Sequence, residues 1–130
     1  MPIHPQHTYV RLADDGTAAE IPGDAFWQLP ASEIEQHGKG WLISEFEFTE
    51  DWPTWEMHPH GDEFVYLLSG AVELLLEQDS NLVTVALSGA GAVVVPRGVW
   101  HTARVLAPSR MLHVTRGAGT ETRPASAPGA

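Results

Sequence analysis

From Trp41 onward the chain is built of short apolar runs in which side chains alternate between hydrophobic and polar, broken every few residues by glycine, proline, serine or asparagine. A period of two places successive side chains on opposite faces of a strand. No stretch keeps a 3.6-residue apolar period for ten positions, so helix is expected only as a minor component. The pattern predicts strands over 41–48, 55–60, 63–69, 71–77, 82–88, 92–96, 101–107 and 110–116. Ser69-Gly70, the polar link Gln78 to Asn81, Gly89-Ala90-Gly91 and Pro96-Arg97-Gly98 read as the joints between them. So many short strands in so few residues imply an all-β sandwich or barrel. Residues 1–40 read as an N-terminal arm, with an edge strand over 7–12, an apolar packing segment AFWQLP over 25–30 and a turn over 32–40. Residues 41–117 form the barrel, and the small, polar, proline-bearing stretch 118–130 reads as a flexible C-terminal tail.

Composition narrows what such a domain can do. The 130 residues suit one domain with one core, and 43% hydrophobic against 18% charged residues is globular composition. The longest apolar runs, such as AVVVP at 92–96, are too short to cross a bilayer, so no membrane association is expected. MPIHPQHTYVRL at the N-terminus has no basic segment leading into an apolar one, and the expected location is the cytoplasm. Seven basic residues against seventeen acidic ones give a net charge of −10, a field that repels nucleic acid phosphates and anionic lipid heads. Cysteine is absent, which removes disulfides, thiolate catalysis and cysteine-bound zinc together. Any metal here must be held by nitrogen and oxygen.

Candidate ligands of that kind converge in Glu56-Met57-His58-Pro59-His60-Gly61-Asp62-Glu63. On a strand Glu56, His58 and His60 share a face, and after a turn at Gly61-Asp62 the carboxylate of Glu63 opens the next strand close by. A second, distant histidine is needed to complete a chelate, and His101 follows the turn residues Pro96-Arg97-Gly98. Its strand continues inward with the small Ala103 and Val105, which leaves room for a bound molecule. Three histidines and a glutamate are costly to bury unpaired and become favourable around a cation. Trp52, Trp55, Tyr66, Trp100, Met111 and His113 are candidates for core or pocket wall, and Arg97, Arg104 and Arg110 for surface ion pairs.

The same residues carry a resemblance. HPHGDEFVYLLSG followed by GAVVVPRGVWH resembles the two sequence motifs of the cupin superfamily. Glu63 and Gly70 keep the closing spacing of the first motif, and Pro96, Gly98 and His101 keep the central spacing of the second. The resemblance covers about residues 41–116 and implies a double-stranded β-helix, or jelly-roll barrel, as a single domain whose motif histidines and glutamate bind metal. There are departures: the opening glycine is missing, the glycine before Pro96 is one residue nearer, and Val105 stands where the family has asparagine. Counting back from Glu63 also puts the motif histidines at Glu56 and His58, leaving His60 outside the pattern. The expected ligands are therefore His58, His60, Glu63 and His101, with Glu56 as a catalytic acid or base, while an exchange of the roles of Glu56 and His60 stays open.

The resemblance further implies one divalent transition metal, Fe, Mn, Ni or Zn. It points to a metal-dependent enzyme of the oxygenase or isomerase class, acting on a small oxygenated molecule. The alternative is a non-catalytic binding or sensing module whose metal is structural or anchors a ligand. By the same resemblance the chain is expected to form a homodimer through a sheet face or its N-terminal arm.

Overall fold

The structure is a computed structural model and describes residues 1–125. The described residues form an all-β jelly-roll barrel. Its strands are β1 (Thr8–Leu12), β2 (Ala18–Pro22), β3 (Trp41–Phe48), β4 (Thr54–Met57), β5 (Glu63–Gln78), β6 (Asn81–Ser88), β7 (Ala92–Val95), β8 (His101–Thr115) and β9 (Glu121–Pro124). A 3-10 turn (Phe26–Gln28) and one short helix, α1 (Ala31–His37), lie between β2 and β3.

Two long strands organise the barrel. β5 and β8 pair antiparallel along nearly their whole length, from Phe64 opposite Val114 to Leu76 opposite His101. The first part of β5 then pairs with β7 and its second part with β6. The end of β8 pairs with β3, which continues to β1 and β2, while its first residue pairs with β4, which continues to β9. One bent pair of strands is thereby shared by both halves of the barrel. Their alternate residues Val65, Leu67, Val72, Leu74, Leu76, Ala103 and Met111 point inward and join Trp52, Leu87 and Val95 in the core.

Several expectations are corrected. The strands expected over 63–69 and 71–77 are one strand, and so are those expected over 101–107 and 110–116. Ser69-Gly70 is a bulge in β5 and not a hairpin: pairing shifts register between Leu67 and Val72, and Gly70 has φ +100°. A bulge bends a strand without ending it. The stretch 32–40 contains α1, which starts after Pro30, carries Glu33 in its first turn and ends at Gly38. The N-terminal arm packs on the barrel: Tyr9, Ile21 and Phe26 bury themselves with Leu42 of β3. Finally, Glu121–Pro124 of the expected free tail pair with β4, and the Arg123 guanidinium lies 4.6 Å from the Trp100 ring centre and 5.2 Å from that of Trp55. The cation–π contacts give this polar segment an anchor that its composition does not advertise. The rest of the expected tail, 126–130, lies outside the described residues.

The corner at Gly70 is closely built. A Cβ added there would stand 2.5 Å from the Pro108 carbonyl oxygen, on a backbone conformation that side-chain-bearing residues rarely adopt. Gly70→Ala is therefore expected to lower the unfolding free energy by about 2–4 kcal/mol, read from the midpoint of a urea titration. An unchanged midpoint would show that the bend does not rest on this conformation.

Candidate metal centre

The site is assembled where β4 ends, β5 begins and β8 begins. Glu56 on β4 lies directly opposite His101, the first residue of β8. His58 follows β4, and Glu63 opens β5. The turn before β8 is clipped to the loop before β5 by backbone groups. Gly98, at φ +78°, donates its N–H to the His58 carbonyl at 2.9 Å, and the Arg97 N–H donates to the Asp62 carboxylate at 2.8 Å. These bonds bring His58 and His101, far apart in sequence, to a ring-centre distance of 5.3 Å. Glu56, His58 and His101 each offer an atom within 4.8 Å of the others.

Glu63 stands at the centre. Its Oε1 is 3.1 Å from His101 Nε2, and its Oε2 is 3.5 Å from His58 Nε2 and 3.7 Å from His113 Nδ1. The Thr115 hydroxyl donates to Oε2. Burial is nearly complete, with His101 0%, Glu63 4%, His113 6% and His58 7% exposed.

The far side of each ring fixes what its near side can do. Thr120 Oγ1 donates to the Gly117 carbonyl and so accepts from His58 Nδ1, 2.7 Å away. His101 Nδ1 donates to the Val99 carbonyl at 3.0 Å. With the protons on Nδ1, both neutral rings present a bare Nε2 lone pair to the site, the arrangement typical of ligating histidines. His58 Nε2, His101 Nε2, His113 Nε2 and Glu63 Oε1 are all buried without a hydrogen-bond partner. Each such group, left unmatched, costs about 1–3 kcal/mol. A lone pair facing a carboxylate oxygen needs a cation or a proton between them. The donor set fits a divalent metal.

His60 does not join this cluster. It is exposed and borders a surface hollow with Glu35, Lys39, Trp41 and Arg116. The reason is local: β4 ends at Met57, so the alternation that would align His60 with His58 stops before it is reached. Glu56, the other candidate, takes the place beside His58 and His101. Among residues beyond the expected ligands, His113, Thr115 and Thr120 complete the surroundings of Glu63 and His58.

A cavity of about 480 Å³ opens over the cluster. Phe46, Phe48 and Trp52 wall it from the barrel, and Phe26, Trp27 and Ile34 wall it from the N-terminal segment. The segment AFWQLP, read from sequence as packing or dimer contact, thus forms part of the pocket.

No protein-family model matches the chain, and no curated protein matches it in sequence. Solved structures do match it. A cupin superfamily protein from Desulfitobacterium hafniense is 21% identical over 58% of this chain and 65% of its own, with a TM-score of 0.50. An oxalate oxidase is 16% identical over 62% of this chain and 44% of its own, with a TM-score of 0.53. The fold is that of the cupins. Peruvianin-I, a cysteine peptidase from Thevetia peruviana latex, is 13% identical over 67% of this chain and 58% of its own, with a TM-score of 0.56. The chain spans less than two thirds of the length of each of these three structures. Likeness at such identities is one of fold, and a chain with no cysteine cannot share a cysteine peptidase's nucleophile.

Within this cupin fold, burial pushes the Glu63 carboxyl up, but the imidazoles of His101, His113 and His58 outweigh it and hold the group well below the usual carboxylate range. Burial likewise pushes His101 down, yet the Glu63 carboxylate and the Val99 carbonyl leave it raised. The two shifts act at different pH. The Glu63 contribution to stability is present above the ordinary value of 4.5 and lost as pH falls through the lowered one. The His101 contribution is present below 6.5 and lost as pH rises through the raised value. The metal-free protein is expected to be most stable between those two pH values. Nitrogen-detected NMR titration should find His101 titrating above 6.5, and Glu63→Gln should lower it, because burial is then opposed only by the Val99 carbonyl and the Glu56 carboxylate. An unmoved His101 titration in Glu63→Gln would refute this coupling.

Proposed function

We propose that the chain is a divalent-metal enzyme of the oxygenase or isomerase type, acting on a small oxygenated molecule held in the cavity above the cluster. The observation that carries this reading is the set of buried ligand atoms on His58, Glu63 and His101 left without partners beside an accessible cavity. His58 and His101 hold the metal through Nε2, and Glu63 and Glu56 hold it through carboxylate oxygens. Two nitrogens and two carboxylates suit Fe(II), Mn(II), Ni(II) or Zn(II). When bound, such an ion supplies Lewis acidity that polarises a substrate oxygen, with electron transfer available to a redox-active one. Glu56 thus takes the place expected of His60.

The remaining side chains have positioning roles. Thr120 and the Val99 carbonyl hold the two imidazoles in the ligating tautomer. Thr115 holds the Glu63 carboxylate from behind. Phe46, Phe48 and Trp52 form a dry wall that keeps water away from the reacting side of the cluster.

A homodimer is part of the same proposal. Phe64, Tyr66, Val94, Leu112 and Val114 alternate with inward-facing residues and so lie together on the outside of the β7–β5–β8 sheet. Phe64 is 37% and Val94 59% exposed, and such a patch is commonly covered by a second copy.

Elemental analysis of protein purified without added metal is expected to find about one transition-metal ion per chain. His58→Ala, His101→Ala and Glu56→Ala should each weaken binding at least ~100-fold, and Thr120→Val about 10-fold, while His60→Ala leaves it unchanged. Affinity should fall as pH drops through the raised His101 value, because the metal must displace that proton. Full metal content in both His58→Ala and His101→Ala would end the reading. Light scattering is expected to give twice the 14.2 kDa chain mass, and Val94→Glu the chain mass itself.

A further inference from the structure

The cavity over the metal cluster has a character of its own. Its walls are mainly rings and aliphatic carbons, Phe46, Phe48 and Trp52 on one side and Phe26, Trp27 and Ile34 on the other, with hydroxyls from Ser44, Thr54 and Thr122 among them. Among the described residues no lysine or arginine lines it, and the charged ones that do, apart from histidine, are Glu56 and Glu63. Three arginines are ion-paired with other carboxylates: Arg110 with Glu45, Arg116 with Asp14, and Arg123 with Glu77. Two carboxylates already neutralise a divalent ion. A ligand bringing another negative charge would find no positive charge left over to offset it.

Two buried polar atoms of this wall have no partner, Trp52 Nε1, which can only donate, and His113 Nε2. His113 lines the cavity from β8, 6% exposed, with its Nδ1 on the Glu63 side and its Nε2 buried without a partner. Its ring is held by aromatic neighbours, 5.6 Å from Phe46, 5.8 Å from Trp52 and 6.3 Å from Phe48. It lies among the rings of the wall, so a molecule stacked on them can reach Nε2 with a polar substituent. An apolar cavity of roughly 150 Å³ takes a benzene ring. About 480 Å³ therefore leaves space for a molecule of one or two rings.

We infer that the substrate class of this site is an uncharged aromatic alcohol, its ring against Phe46, Phe48, Trp52 and Trp27 and its hydroxyl hydrogen-bonded to His113 Nε2. This rests on the proposed metal site only in where the molecule is held, since the wall and His113 exist without the ion. His113 is a specificity residue: it selects a hydroxyl-bearing ring over the same ring without a donor.

The test uses the full chain, loaded with Mn(II), with metal content measured on every sample, and calorimetric titration of 2-naphthol, 2-methoxynaphthalene and 2-naphthoate. We expect 2-naphthol to bind about tenfold more tightly than 2-methoxynaphthalene, the worth of one hydrogen bond, and at least tenfold more tightly than 2-naphthoate. His113→Phe keeps the ring and should abolish the preference for 2-naphthol over 2-methoxynaphthalene without loss of metal. Should that variant fail to fold, Trp27→Ala, at a position 59% exposed, should weaken both neutral probes several-fold. Binding of 2-naphthoate as tight as that of 2-naphthol, or no binding of either neutral probe by metal-loaded protein, would overturn the assignment and leave the metal site standing. Binding of 2-naphthol by protein that takes up no Mn(II) would support the assignment and overturn the metal reading.

Discussion

A carboxylate buried as deeply as Glu63 must be surrounded by positive charge or by donors, and the rest of the site follows from that requirement. Thr115 supplies one hydrogen bond to it, and His58, His101 and His113 close in from three sides. Two of those imidazoles have their protons drawn to the far nitrogen by Thr120 and by the Val99 carbonyl. What faces Glu63 is then a set of lone pairs, which only a proton or a metal ion reconciles with a carboxylate. The raised His101 and lowered Glu63 show the proton's solution to this problem, and the proposed metal is the other.

Delivering those groups to one place is the task of the fold. Glu63 opens one of the two long strands and His101 opens the other, and antiparallel pairing puts Leu76, near the far end of β5, beside His101. The two openings meet only because each strand bends past the Gly70 corner and because the Gly98 N–H reaches the His58 carbonyl. The ligand cluster is as rigid as these backbone bonds, which suits a site whose geometry has to persist through ligand exchange.

Charge and apolar surface divide the work above the cluster. The ionisable groups gather at the base of the cavity, and its walls are aromatic. Fold likeness says nothing about this division, since a peptidase and an oxalate oxidase share the barrel at 13% and 16% identity. What the cavity accepts is decided by side chains that the N-terminal segment adds to the barrel, Phe26, Trp27 and Ile34 among them.

Much of this was legible in the residues themselves. Period-two alternation is enough to announce strands, and the motif spacing is enough to pair His58 with His101 and Glu63 before any coordinates. The ambiguity between Glu56 and His60 turned on where β4 ends: alternation holds only while a strand lasts, and Pro59, with no N–H to give a ladder, is the local mark that it stops at Met57. Ser69-Gly70 reads as a turn, since a residue that permits a hairpin permits a bulge equally well; only the cross-strand partner decides which forms. His113, a pocket-wall candidate from the sequence, and Thr115 continue the same odd-numbered inward phase as His101 and Ala103, but only the pairing of the whole of β8 sets them beside Glu63. Thr120 and Arg123 were hidden for a different reason: their partners, His58, Trp55 and Trp100, lie tens of residues away. The sequence by itself determined the strand pattern and the types of atom available for chemistry, because both are local properties of residues. Which of those atoms meet, and what cavity they meet beneath, was decided by long-range pairing, where the free energy belongs to contacts that no short segment contains.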